Sequence, residues 1–115
     1  MLFRIDPGLD EPLHSQIAAQ VRRAIAESKV KRGDQLPPAR ELAASLDVNM
    51  HTVLRAYTTL RDEGLVDMRR GRGVTVATAS VPRARVIELA RELLAEARRH
   101  SVGLRELKQL LESLS

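Results

Sequence analysis

The sequence predicts a mainly α-helical chain with a small β-hairpin, and three observations predict it. Apolar residues recur at helical spacing in several separate stretches. One block, Leu36 to Val76, orders two short helices, a tight turn and two strand-like runs. Those runs flank Arg69-Arg70-Gly71-Arg72-Gly73, where the glycines suit a hairpin tip. The order helix, turn, helix, basic hairpin is that of a winged helix-turn-helix. The chain continues beyond it into a two-helix C-terminal dimerisation extension. The expected division is residues 1–79 for the winged unit and 80–115 for the helical tail.

Each element has its own reason. Leu2 to Ile5 is a short apolar stretch ended by Asp6-Pro7-Gly8, which is turn chemistry, so it reads as a brief strand or an extended arm. Pro12 suits the first turn of a helix, where its missing N–H is not needed. From there Leu13, Ile17, Val21, Ala24 and Ile25 repeat at helical spacing, while Gln16, Gln20, Arg22, Arg23 and Glu27 fall on other faces. The helix is expected to stop near Ser28, and Val30 to Asp34 to turn, with Gly33 free to take positive φ. Pro37-Pro38 sets the start of a second helix near Ala39, because a residue before proline is pushed out of the α region. Leu42, Ala43 and Leu46 give that helix its inward face. Asp47-Val48 is the turn, and Asn49 is a suitable cap for a third helix. The third helix runs to about Glu63 with Val53, Ala56, Tyr57 and Leu60 on one face, and Gly64 stops it. Strands are expected over Leu65 to Met68 and Val74 to Ala77. After the linker Ala79-Ser80-Val81-Pro82, a fourth helix spans about Arg83 to His100. Ser101-Val102-Gly103 breaks it, and a last helix starts at Leu104.

Composition narrows the function. Among 115 residues, 43% are apolar but only 2% aromatic, so the core is built from Leu, Val, Ile and Ala. With Phe3 and Tyr57 as the only aromatics, a single-strand binder that stacks bases is disfavoured. Nineteen Lys and Arg against 15 Asp and Glu give a net charge of +4, weak support for nucleic acid by itself. Placement says more, since Arg69, Arg70 and Arg72 crowd one tip. The lack of cysteine removes disulfides and thiolate metal sites. His14, His51 and His100 fall in different elements, so no metal site is expected. No phosphate-binding glycine loop and no nucleophile motif is present, so no cofactor and no enzyme activity are expected. No apolar run approaches the roughly 20 residues of a membrane span, and MLFRIDPG lacks a signal-peptide layout, so a cytoplasmic protein is expected.

In a helix-turn-helix the second helix reads base edges in the major groove. Here its first residues are Asn49, Met50, His51 and Thr52. Asn49, His51 and Thr52 can hydrogen-bond bases or phosphates, and the helix N-terminus itself favours phosphate. Arg55 lies one turn beyond His51, and Arg40 near the start of the preceding helix points to the same side. The tip around Arg69, Arg70, Gly71 and Arg72 would follow phosphates or enter a narrow minor groove. Each residue also has a plainer role: a lone helical Arg is usually solvated, Asn49 can be a cap alone, and Met50 a gap-filler. The ordered combination points to a double-stranded DNA operator.

Further motifs run through the same stretch: Pro12-Leu13 with Gln16-Ile17, Gly33-Asp34-Gln35-Leu36-Pro37, and Arg40-Glu41-Leu42-Ala43. They continue in Val48, Thr52-Val53, Ala56-Tyr57, Leu60, Glu63-Gly64-Leu65 and Gly71-Arg72-Gly73. On these residues the chain resembles the GntR family of bacterial transcription regulators, in their N-terminal winged-helix domain. The short two-helix tail resembles the YtrA subfamily. The resemblance implies DNA contacts at Arg40, Asn49, Met50, His51, Thr52, Arg55 and the wing around Gly71, and suggests control of transporter genes. The chain departs from the family pattern at Pro38, where a capping serine is frequent. It departs also at Met50, at Leu54 beside Arg55, and at His14 in place of a frequent tyrosine.

DNA readers of this size usually act as dimers on two half-sites. Leu104, Leu107, Leu111 and Leu114 alternate by three and four, a heptad-like stripe. Val86, Leu89, Leu93 and Leu94 form a similar stripe on the fourth helix. Both are expected to build a homodimer, each buried leucine contributing roughly 1.5–3 kcal/mol. Packing of both helices on their own winged unit is the other option. The expected function is a dimeric, sequence-specific DNA-binding regulator, a repressor because a bound dimer blocks polymerase without an activating surface. A competing reading is a protein-interaction module in which the leucine-rich tail docks a partner. Whether a small-molecule effector binds is left open by the residues.

Overall fold

The elements run α1 (Leu13–Ala26), α2 (Ala39–Leu46), α3 (Met50–Asp62), β1 (Val66–Arg69), β2 (Gly73–Val76), α4 (Val81–Arg99) and α5 (Leu104–Leu114). The computed structural model describes residues 2–71, 73–77 and 81–115, with Val81 by its backbone alone. Arg72 and the linker at 78–80 lie outside the described residues. Every helix predicted from periodicity is present, with ends shifted by only a few residues, and the first apolar stretch is an extended arm rather than a strand.

The core forms where α1, α2, α3 and the hairpin meet. Ile17, Val21 and Ile25 of α1 face Val53, Ala56, Tyr57 and Leu60 of α3, and all are buried. Leu42 and Ala43 close the α2 side, and Leu65, Val66, Val74 and Val76 close the hairpin side. Gly64 ends α3 at φ 78°, where a residue with a Cβ would be strained. The hairpin pairs Val66 with Val76 and Met68 with Val74 in antiparallel register. The loop after α1 extends this sheet from the other edge. The Gly33 N–H donates to Val76 O at 2.8 Å, the Val76 N–H to Asp34 O at 2.8 Å, and the Leu36 N–H to Val74 O at 2.8 Å. The wing is thereby tied to the segment that starts α2.

Two polar residues of α1 depart from the expected outer face. Gln16 is buried, and its carboxamide brackets the arm: the Asp6 N–H donates to its Oε1 at 2.7 Å, and its Nε2 donates to Asp6 O at 2.9 Å. Gln20 treats Arg4 the same way, accepting the Arg4 N–H at 2.7 Å and donating to the Arg4 carbonyl. These bonds seat Phe3 in the core. Arg22 is the second departure, at 1% exposure. It lies inside because Glu63, at the end of α3, meets it with both oxygens. Nε is 2.7 Å from Oε2 and Nη2 is 2.6 Å from Oε1. A buried guanidinium needs such a bidentate partner.

Helix α4 lies along α1. Ala84 is fully buried in the same core, Ile87 packs against it, and Arg23 meets Glu88 at 3.4 Å. The expected boundary after residue 79 falls outside the described residues, and the first turns of α4 share the core of the winged unit. Farther along, Val86, Leu89 and Leu93 are exposed, and Leu94 is half-buried. After the corner at 101–103, Leu104, Leu111 and Leu114 are exposed as well. Leu107 differs from the rest of its stripe. It is buried within its own chain at 3% exposure, and Ala97 near the end of α4 is buried too.

Replacing Glu63 with Ala leaves Arg22 buried without its partner and is expected to lower unfolding free energy by about 3–5 kcal/mol. Urea denaturation measures it, with Glu96→Ala on the exposed side of α4 as a control expected to stay within about 0.5 kcal/mol.

Candidate nucleic-acid interface

The turn between α2 and α3 is made by a left-handed residue. Asp47 sits at φ 55°, ψ 48°, a conformation that Asp tolerates better than most side chains. The Val48 N–H then donates to Ala43 O at 3.0 Å and closes α2. Asn49 is extended and caps α3, its Oδ1 accepting the His51 N–H at 2.8 Å. Among the described residues its amide nitrogen has no acceptor, so it is available as a donor. The first turn of α3 therefore begins at a defined place, with its positive dipole end directed outward.

A buried hydrogen bond sets the orientation of α3. The Tyr57 hydroxyl donates to Pro37 O at 2.6 Å, tying the middle of α3 to the segment before α2. Burial pushes the phenol well above its usual pKa, so it remains a donor. The sequence placed Tyr57 on the apolar face but gave no sign of this partner, which lies 20 residues away.

Arg40 is exposed in the first turn of α2. Asn49, Met50 and His51 are exposed, Thr52 is half-buried, and Arg55 is exposed one turn after His51. Arg69, Arg70 and Gly71 are exposed at the wing, where Gly71 takes φ 81°. Arg72 lies outside the described residues. The charges divide in an informative way. Arg22, Arg23, Arg85 and Arg91, on α1 and α4, are matched to carboxylates. Arg40, Arg55, Arg69 and Arg70 have no ion-pair partner among the described residues. These four guanidiniums lie on α2, α3 and the wing, the parts that a helix-turn-helix turns toward DNA, while Arg4, Arg32, Arg98 and Arg105, likewise without an ion pair among the described residues, lie elsewhere.

His14, at the start of α1 and singled out in the sequence as a departure from the family pattern, lies beside Arg55 in this region. Burial first, then the positive charges of Arg55 and Arg91, hold its imidazole below the ordinary value of 6.5. It is a neutral neighbour for Arg55 near neutral pH. Among the described residues no three His, Asp or Glu side chains gather as a metal ion would require.

A family profile described as "Bacterial regulatory proteins, gntR family" matches residues 13–76. The HTH-type transcriptional repressor YtrA of Bacillus subtilis is 30% identical, the match covering 99% of this chain and 92% of that protein. A solved structure of YtrA from Sulfolobus acidocaldarius, described as a GntR-family transcription factor, is 36% identical. It superposes with a TM-score of 0.63 over 82% of this chain and 99% of that one. AraR(DBD), solved in complex with operator ORX1, has a TM-score of 0.59 over 67% of this chain and 96% of that one. At 24% identity it shows the shared fold.

The folded chain resists protonating His14, so the unfolded chain takes up that proton at a higher pH. Stability from this group is full above about pH 6.5 and falls as pH drops through the window just below it. Thermal melts from pH 7.5 to 5 are expected to show this loss, and His14→Gln to reduce it.

Proposed function

The chain belongs to the gntR family of bacterial regulatory proteins, and on that premise we propose that it is a dimeric, sequence-specific DNA-binding repressor. The observation that carries the reading is the set of unmatched arginines on α2, α3 and the wing, beside a capped and exposed start of α3. Arg55 and the wing arginines serve phosphates. Asn49, His51 and Thr52 serve base edges or the phosphates nearest the helix N-terminus. Met50, at 36% exposure, supplies an apolar surface suited to a thymine methyl. Arg40 adds a contact from the first turn of α2.

The repressor assignment draws on the Bacillus subtilis relative, which is named a repressor and matches nearly the whole chain. Dimerisation is supported by Val86, Leu89, Leu93, Leu104, Leu111 and Leu114, apolar side chains that α4 and α5 leave exposed. A second copy would cover them and present two reading heads to two half-sites. No described helix is long and apolar enough to cross a membrane, which fits a regulator working on cytoplasmic DNA. A protein-docking module on the same scaffold is disfavoured, because the family and the relative that matches nearly the whole chain are both transcription regulators.

The test is salt dependence. Substituting Arg69 and Arg70 together by Ala is expected to weaken duplex binding and to reduce the slope of log K against log salt by about one unit per lost contact. An unchanged affinity and slope would remove the wing from the interface. For the dimer, Leu93→Glu with Leu111→Glu places charges on side chains that the monomer does not bury. Sedimentation at micromolar concentration is expected to give a dimer for the natural chain and a monomer for the variant.

A further inference from the structure

We infer that Glu63 is a positioning residue, held by Arg83 and Arg91 of α4, that fixes the angle between the reading helix and the tail and so selects half-site spacing. The inference rests on the dimeric DNA-binding reading above. Glu63 is the C-cap of α3, and α4 reaches it twice. Arg83 Nε donates to the Glu63 carbonyl at 2.8 Å, and Arg91 Nη2 meets Glu63 Oε1 at 3.4 Å. A C-cap carbonyl has no partner inside its own helix, and positive charge is favoured at that end. Arg83 supplies both. The Glu63 carboxylate is meanwhile locked by Arg22 from α1. One residue at the end of the reading helix is therefore gripped by the helix beneath it and by the helix that leads to the exposed leucines.

Geometry makes this grip consequential. Helix α4 has 19 residues and so is about 28 Å long. Pivoting it by about 10° would move its far end by about 5 Å, more than the roughly 3.4 Å rise of one base pair. Beside these, α4 packs along α1, with Ala84 and Ile87 on the apolar core and Arg23 paired with Glu88 at 3.4 Å. Apolar burial is non-directional, so it holds α4 against the core without fixing its angle closely. The two contacts to Glu63 supply direction. Glu63 is a poor residue to change for this purpose, because the Arg22 pair and with it the fold depend on it. Arg83 and Arg91 can be removed while Ala84 and Ile87 keep α4 seated.

The experiment uses the full chain. Wild-type protein first selects duplexes from a random library, which gives the half-site. Affinities are then measured for paired half-sites with spacers changed by zero, one and two base pairs in each direction, and for a single half-site. Wild type is expected to prefer one spacer over its neighbours by about tenfold. Arg83→Ala/Arg91→Ala is expected to bind the single half-site within about twofold of wild type and to spread its preference over neighbouring spacers within about threefold. Arg83→Lys/Arg91→Lys, which retains the charges, is expected to recover part of the preference. A variant that loses affinity equally at every spacer, or keeps the wild-type profile, overturns the inference while leaving the DNA-binding reading intact. A wild-type chain that selects no duplex, or has no spacer preference, overturns that reading and the inference with it.

Discussion

Removing a guanidinium from water is costly unless its charge and its fork of N–H donors are both met, and in this fold Glu63 meets Arg22 with both carboxylate oxygens. The pair joins the middle of α1 to the end of α3 across 41 residues of sequence. Much else refers to that point. Gly64 can turn the chain into β1 because α3 ends where Arg22 holds it. Leu65 and Val66 then enter the core at once, and the wing starts from a fixed position. The Tyr57–Pro37 bond fixes the middle of α3 in the same manner. Between them, these two contacts leave the reading helix little freedom to rotate about its axis.

How far the structure could be read from the sequence depends on the range of each signal. Local signals were legible. The four-residue apolar face of α3, the cap at Asn49, the stop at Gly64 and the glycine-bearing tip are each encoded within a few residues of where they act. Signals needing a distant partner were not. Arg22 and Gln16 look like surface residues in a helical pattern, since polarity alone does not reveal a carboxylate or a peptide group waiting elsewhere in the chain. Asp47 gave no warning of a left-handed turn, because Asp occupies ordinary turns as readily. In the tail, spacing grouped Leu107 with Leu104, Leu111 and Leu114, yet the corner before α5 buries Leu107 and leaves the other three open. Periodicity identifies a face, and only packing decides what covers it.

The candidate interface shows the same distinction in its charges. A net charge of +4 is unremarkable. What marks the candidate interface is which arginines are neutralised: Glu63 and Glu88 are spent on Arg22, Arg23, Arg85 and Arg91 of α1 and α4, while Arg40, Arg55, Arg69 and Arg70 retain their full field. His14 contributes by staying neutral beside Arg55. A sequence count cannot see this partition, because it depends on which carboxylates fold toward which cations.

The N-terminal arm is held in an unusual way, through its peptide groups. Gln16 and Gln20, one helical turn apart, grip the main chain of Asp6 and Arg4, two residues apart on the extended arm. The two spacings agree because a turn of helix and a pair of extended residues advance by similar lengths, about 6 Å and 7 Å. Side chains at positions 4 and 6 take no part in that grip. The Asp6 carboxylate is used separately, accepting the Gly8 N–H at 2.9 Å, while position 4 is left open to drift. The length of the arm is not. Inserting or deleting a single residue between Phe3 and Asp6 would turn Phe3 to the opposite side of the extended arm and draw it out of the core. In evolutionary terms the arm is a ruler: its letters can change, but its count cannot.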